Sequence, residues 1–160
     1  MVSKRTLPKG KILVDASLLI GIIDSDPRAC RFMSILPRCI VTSINFGETL
    51  YKLDQFLGAD PQKVERAFVG FGLQIDSFDL SAVRNFSALK RIDGLSRIAQ
   101  LKSGVSTSRI KSLSLADLAT LSYGLESNLP ILTGDKHFLT LIGHGYSRKI
   151  FDYRDPSVML

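Results

Sequence analysis

The sequence predicts a single α/β domain whose mostly parallel sheet is covered by helices on both faces. Three observations predict it. Short apolar runs of strand length alternate with longer segments patterned for helix. Several of those helices open on a capping signal, among them Asp26-Pro27, Asp60-Pro61 and Ser114-x-x-Asp117. Finally, 160 residues at 45% hydrophobic suffice for one well-buried core and are too few for two ordinary domains.

In chain order, Lys11-Ile12-Leu13-Val14 reads as a buried strand running into Asp15, and Ala16 to Ile23 as a short apolar helix. Asp26-Pro27 starts a second helix expected to reach about Leu36. Arg38 to Thr42 is the next strand, leading into a helix from about Ser43 to Leu57 with Phe46, Leu50, Leu53 and Leu57 on one stripe. Asp60-Pro61 opens a helix that ends near Gly70 and Gly72. Leu73 to Phe78 alternates with period two, as a half-buried strand does, and Asp79 caps a helix from Leu80 to about Ile92. Gly94 to Ser112 is rich in Ser, Lys and Arg, part helix and ending as loop. Ser114 to Glu126 is a strong helix with Leu115, Leu118, Ser122 and Leu125 on one stripe. Leu129 to Thr133 and Lys149 to Tyr153 complete the strands, Pro130 being tolerated near a strand's first residue.

Residues 1–10 read as a basic leader and residues 11–160 as the domain. No apolar run approaches the ~20 residues of a membrane span, and the leader lacks the apolar stretch of a signal peptide, so the cytoplasm is expected. Cys30 and Cys39 have no metal-ligand spacing and read as small buried thiols; with His137 and His144 the only histidines, a zinc site is not indicated. Lys and Arg number 21 against 15 Asp and Glu, a net charge of +6 that favours a polyanionic partner.

Ligands of open parallel sheets bind beyond the carboxyl ends of the strands, where Asp15 and Asp135 both fall. Each candidate acid also has a purely structural reading. Asp15 can cap the following helix, Asp135 can serve the turn in Thr133-Gly134-Asp135-Lys136, and Asp117 matches a capping box with Ser114. Glu48 sits about 200° around its helix from Phe46, on a face with Ile44 and Tyr51, and can pair with Lys52 one turn on.

Four stretches together resemble the PIN-domain nucleases, most closely the VapC toxins of toxin–antitoxin modules. They are Ile12-Leu13-Val14-Asp15-Ala16-Ser17-Leu18-Leu19-Ile20, Thr42-Ser43-Ile44-Asn45-Phe46-Gly47-Glu48-Thr49-Leu50, Ser114-Leu115-Ala116-Asp117-Leu118-Ala119 and Leu132-Thr133-Gly134-Asp135-Lys136-His137-Phe138. They stand in the family's order and spacing, and the match runs from residue 11 to about residue 153.

The resemblance implies a three-layer α/β/α PIN-like domain with Asp15, Glu48, Asp117 and Asp135 gathered at one end of the sheet. It implies a Mg²⁺- or Mn²⁺-dependent endoribonuclease that hydrolyses RNA phosphodiester bonds, with Asp15, Asp117 and Asp135 as principal metal ligands and Glu48 orienting water or holding a second ion. Ser17 and Thr133 match hydroxyl residues that fix the carboxylates by hydrogen bonds. Arg109, Lys111 and Lys136 are candidate RNA contacts that should ring the acids. A VapC-like toxin would also have a cognate antitoxin and form a homodimer, with Ile44 and Tyr51 a candidate contact face. The rival is a PIN-fold RNA- or protein-binding module without activity. Phosphatases of the Asp-x-Asp type are disfavoured, since Asp15-Ala16-Ser17 lacks the second acid, and receiver domains lack their acidic pair here.

Overall fold

The computed structural model describes residues 5–160. Five parallel strands form the central sheet in the order β4-β3-β2-β5-β6: β2 is Ile12–Val14, β3 Cys39–Thr42, β4 Gln74–Asp76, β5 Ile131–Thr133 and β6 Ile150–Asp152. All four pairings are parallel, Leu13 standing opposite Ile40 on one side and Ile131 on the other. The three inner strands are buried along their whole length, as expected of a sheet covered on both faces.

Alternation along each strand divides the core in two. Ile12, Val14, Val41 and Leu132 point into one layer with α1 (Ala16–Ile23), α2 (Pro27–Cys30), α3 (Ser43–Leu57) and α4 (Pro61–Gly70). Leu13, Ile40, Ile131 and Ile150 point into the other. That second layer holds α5 (Leu80–Val83), α6 (Phe86–Lys102), α7 (Leu115–Glu126) and α8 (Lys136–Thr140). The result is the expected three-layer α/β/α arrangement.

The Asp-Pro signals act as read: Asp26 accepts from the Arg28 N–H, and Asp60 from the N–H groups of Gln62 and Lys63. Thr42 caps α3, and Gly58 ends it in the left-handed conformation at φ +61°, which costs glycine little. On α3 the buried stripe is Phe46 and Leu53 with Leu50 against it, whereas Leu57 is exposed.

Other expectations are corrected. The second helix stops at Cys30, and Met33–Arg38 continues as a 3₁₀ helix. Pro37 disfavours an α conformation at Leu36, and the tighter winding turns Phe32, Ile35 and Leu36 into the core. The helix expected over Leu80–Ile92 breaks after Val83 and restarts at Phe86, then runs through Gly94 to Lys102. Gly94 lowers helix stability by only ~1 kcal/mol, and burial of Leu89 together with the hydrogen bonds made by buried Asp93 and Ser96 offsets it. Leu115 is exposed, because α7 is buried through Ala116, Leu118, Ala119, Leu121 and Ser122. Cys39 is buried, its thiol pushed up to about 12 by desolvation, but Cys30 is only half-buried; both are free.

The leader's first four residues lie outside the described ones. Its remainder packs on the domain: β1 (Arg5–Thr6) pairs in parallel with β7 (Val158–Met159), and Leu7 joins the core. No helix among the described residues is long and apolar enough to cross a membrane.

Candidate active site

β2 and β5 are neighbours, so the residues that follow them meet beyond the carboxyl edge of the sheet. Asp15 occupies the N-cap position of α1 but makes no side-chain capping bond. Its carboxylate is claimed instead by two hydroxyls. Ser17 Oγ donates to Oδ1 at 2.6 Å, and Thr133 Oγ1 donates to Oδ2 at 2.7 Å. Each hydroxyl in turn accepts a backbone N–H from the β5–α8 turn: Ser17 from Gly134 at 2.7 Å, and Thr133 from Asp135 at 2.9 Å. Two short bridges therefore stitch the ends of the two strands together around one buried carboxylate.

Gly134 is required by closeness rather than by torsion. A Cβ there would lie 2.5–2.9 Å from ring atoms of Tyr153, which packs under the turn. Burial pushes the Asp15 carboxyl up to about 6, and the nearby Asp135 charge pushes the same way; the Ser17 and Thr133 hydrogen bonds pull in the opposite direction without prevailing.

The other three acids combine structural duties with a place at the site. Asp117 forms the capping box, its Oδ2 accepting from Ser114 N at 2.8 Å while Ser114 Oγ accepts from Asp117 N at 3.1 Å. Asp135 caps α8 through the His137 N–H at 2.8 Å. Glu48 is paired with Lys52 at 2.6 Å across one turn of α3, a partly exposed contact worth only ~0.5 kcal/mol. All four acids nonetheless line a single cleft of about 430 Å³. The structural and chemical readings of these residues are compatible.

The same cleft contains residues that the sequence reading did not single out: Asn45, Asp24, Asp26, Arg28, Lys52 and Arg154. Asn45 lies one turn before Glu48 on α3, a spacing that could have revealed it. Arg28 and Arg154 come from a helix start and a C-terminal loop, where no periodicity carries a signal. Arg109, Lys111 and Lys136 do not ring the acids. They line a neighbouring cleft of about 230 Å³ with Gln100, His137 and Thr140, and Asp135 is the residue common to both. Behind that boundary Asp93, also unforeseen, is buried on α6. It meets His137 Nε2 at 2.9 Å and accepts from the Leu113 N–H.

Among the described residues, no three His, Cys, Asp or Glu side chains stand close enough together to hold a metal ion as they are. The donor chemistry still suits a hard divalent cation that keeps most of its waters, since Mg²⁺ commonly binds through one or two carboxylates. Six carboxylates and three cationic side chains line the cleft, and the buried Asp15 anion is disfavoured without a counter-charge.

The parallel three-layer α/β/α domain is a PIN fold. The PIN domain family model matches residues 12–141, and the chain belongs to that family. No curated protein matches it by sequence. Among solved structures it is similar to a toxin–antitoxin complex from Klebsiella pneumoniae (TM-score 0.60, 15% identity, 94% of this chain and 97% of the other covered). It is also similar to DNA-bound VapBC from Salmonella typhimurium (TM-score 0.54, 19% identity, 90% and 98% covered). A third is Mycobacterium tuberculosis VapC20, a sarcin–ricin-loop-cleaving toxin (TM-score 0.57, 12% identity, 86% and 99% covered). At these identities the likeness establishes the fold.

Proposed function

We propose that this PIN-domain protein is a metal-dependent endoribonuclease, the toxin of a toxin–antitoxin pair. The observation that carries the reading is the convergence of Asp15, Glu48, Asp117 and Asp135 on one cleft beyond the carboxyl ends of β2 and β5. Held by Asp15, Asp117 and Asp135, directly or through water, a Mg²⁺ or Mn²⁺ ion would supply charge neutralisation at the phosphate and a lowered pKa for the attacking water.

The side chains divide the remaining work. Asp15, gripped on both oxygens by Ser17 and Thr133, is held in one orientation and fixes the geometry of the donor set. Among the described residues Glu48 is tied to Lys52 alone, on its own helix, and can turn from it toward a water, orient it and accept its proton. Asp135 faces both clefts, so a strand lying over the acids extends past it to Arg109, Lys111 and Lys136, which take the flanking phosphates.

RNA is favoured as substrate by the similarity to VapC20, and an antitoxin partner by the similarity to the two toxin–antitoxin complexes. The antitoxin would occlude the acids with a cationic side chain. A homodimer would use apolar surface such as Tyr51 on α3, which is 64% exposed. An RNA substrate would be met in the cytoplasm, where the protein is expected to act. Brief expression followed by mapping of cleavage ends in total RNA tests the reading: discrete new ends and growth arrest are expected, both abolished by Asp15→Asn. Retained RNA binding with an intact RNA pool would instead mark a non-catalytic PIN-fold binding module.

A further inference from the structure

Three cations line the acidic cleft, and they differ in what holds them. Arg28 is fastened to Asp26 by two side-chain hydrogen bonds of 3.0 and 2.9 Å. Arg154 donates to the Gly134 carbonyl at 2.8 Å and lies 5.3 Å from the centroid of the Tyr153 ring. Lys52 is the one of the three whose partner is itself among the four acids, with Nζ 2.6 Å from Glu48 Oε1. Its side chain is 40% exposed, so it can swing off Glu48 without disturbing the core. A lysine ammonium is a compact point charge on a flexible stem, suited to exchanging one anionic oxygen for another.

We propose that Lys52 is the resident counter-ion of the acidic cleft, displaced from Glu48 when a divalent cation binds and thereafter holding a non-bridging oxygen of the RNA phosphate. The inference rests on the nuclease reading above. A divalent ion held in the same cleft by Asp15, Asp117 and Asp135 is repelled at short range by the ammonium resting on Glu48, so the lysine weakens metal binding. Once metal and RNA are both present, the same ammonium adds to the positive charge around the phosphate and is favourable there. The residue therefore has opposite effects on the two ligands, which a merely structural helix pair would not show.

The test compares wild type with Lys52→Met, which keeps the length of the stem, and Lys52→Arg, which keeps the charge. Mn²⁺ binding to the metal-free proteins is followed by calorimetry, and RNA cleavage is followed at saturating Mn²⁺. Lys52→Met is expected to bind Mn²⁺ about fivefold or more tightly and to cleave about tenfold or more slowly. Lys52→Arg should stay close to wild type in Mn²⁺ affinity. Lys52 lies on a partly exposed surface of α3, and methionine and arginine are both good helix formers, so circular dichroism should show an unchanged fold for either variant. Unchanged or weaker Mn²⁺ binding by Lys52→Met overturns the counter-ion role, and unchanged cleavage overturns the phosphate contact. If wild type itself neither binds Mn²⁺ nor cleaves RNA, the nuclease reading falls and takes this inference with it.

Discussion

Thr133 Oγ1 donates to Asp15 Oδ2 at 2.7 Å across 118 positions of chain, and accepts the N–H of Asp135 at 2.9 Å. One hydroxyl thus links two of the four acids and closes the end of the sheet. Thr133→Val keeps the shape and removes both bonds. It leaves the Asp135 N–H without that acceptor, a loss of ~1–3 kcal/mol in unfolding free energy. Urea denaturation should show that loss, together with a fall in RNA cleavage at saturating metal.

The buried Asp15 predicts a pH dependence of stability in the metal-free protein. Its folded-state pKa, about 6, lies above the ordinary 3.8, so folding favours the protonated form. The contribution is fully present below 3.8 and is lost as pH rises through about 6. The displacement corresponds to ~3 kcal/mol at most. Urea midpoints measured in EDTA should therefore fall between about pH 4 and pH 7 and change little above that. Asp15→Asn should flatten that fall and be the more stable protein at pH 8, although inactive.

Gly134→Ala tests the close approach of the turn to Tyr153. The added methyl would overlap the aromatic ring, and relief requires moving the turn that carries the Gly134 N–H to Ser17 Oγ. A loss of ~1–3 kcal/mol is expected from overpacking. Melting temperature and cleavage should fall together, and Tyr153→Leu in the same chain should recover part of the stability.

Asp117 can be separated into its two duties. Ser114→Ala removes the cap on Asp117 N and should lower stability by ~1 kcal/mol while most activity survives. Asp117→Asn should leave stability within ~1 kcal/mol, because the amide oxygen can still accept the Ser114 N–H, and should abolish cleavage. Paired melts and assays distinguish the two.

Charge removal in the second cleft should act on binding. Replacing Arg109, Lys111 and Lys136 by Gln is expected to weaken binding of single-stranded RNA and to reduce its salt dependence by ~0.7 in slope per lost phosphate contact. Fluorescence anisotropy across a salt series measures both.

Much of this was legible in the sequence because it is written in local chemistry. Asp26-Pro27, Asp60-Pro61 and Ser114-x-x-Asp117 announce their helices through bonds made within four residues, and the structure realises each. Continuous apolar runs disclosed the buried strands, and strand ends pointed to Asp15 and Asp135. What escaped depends on contacts distant in sequence. The 3₁₀ segment after Cys30 follows from where Phe32 and Leu36 find room, and the passage of α6 through Gly94 from core packing of Leu89 and the long-range hydrogen bonds of Asp93 and Ser96. Arg154 reaches the cleft from a loop after the last strand of the main sheet, so no pattern could assign it there. The position of Arg109, Lys111 and Lys136 beside the acids rather than around them likewise depends on how the loop before α7 folds back.

The central claim is tested most directly by incubating purified protein with a defined single-stranded RNA in Mn²⁺, with and without EDTA, beside the Asp15→Asn protein. Cleavage at discrete positions by the wild type in Mn²⁺, absent in EDTA and absent from Asp15→Asn, is the result expected. Cleavage that persists in EDTA, or in the Asp15→Asn protein, would contradict the account.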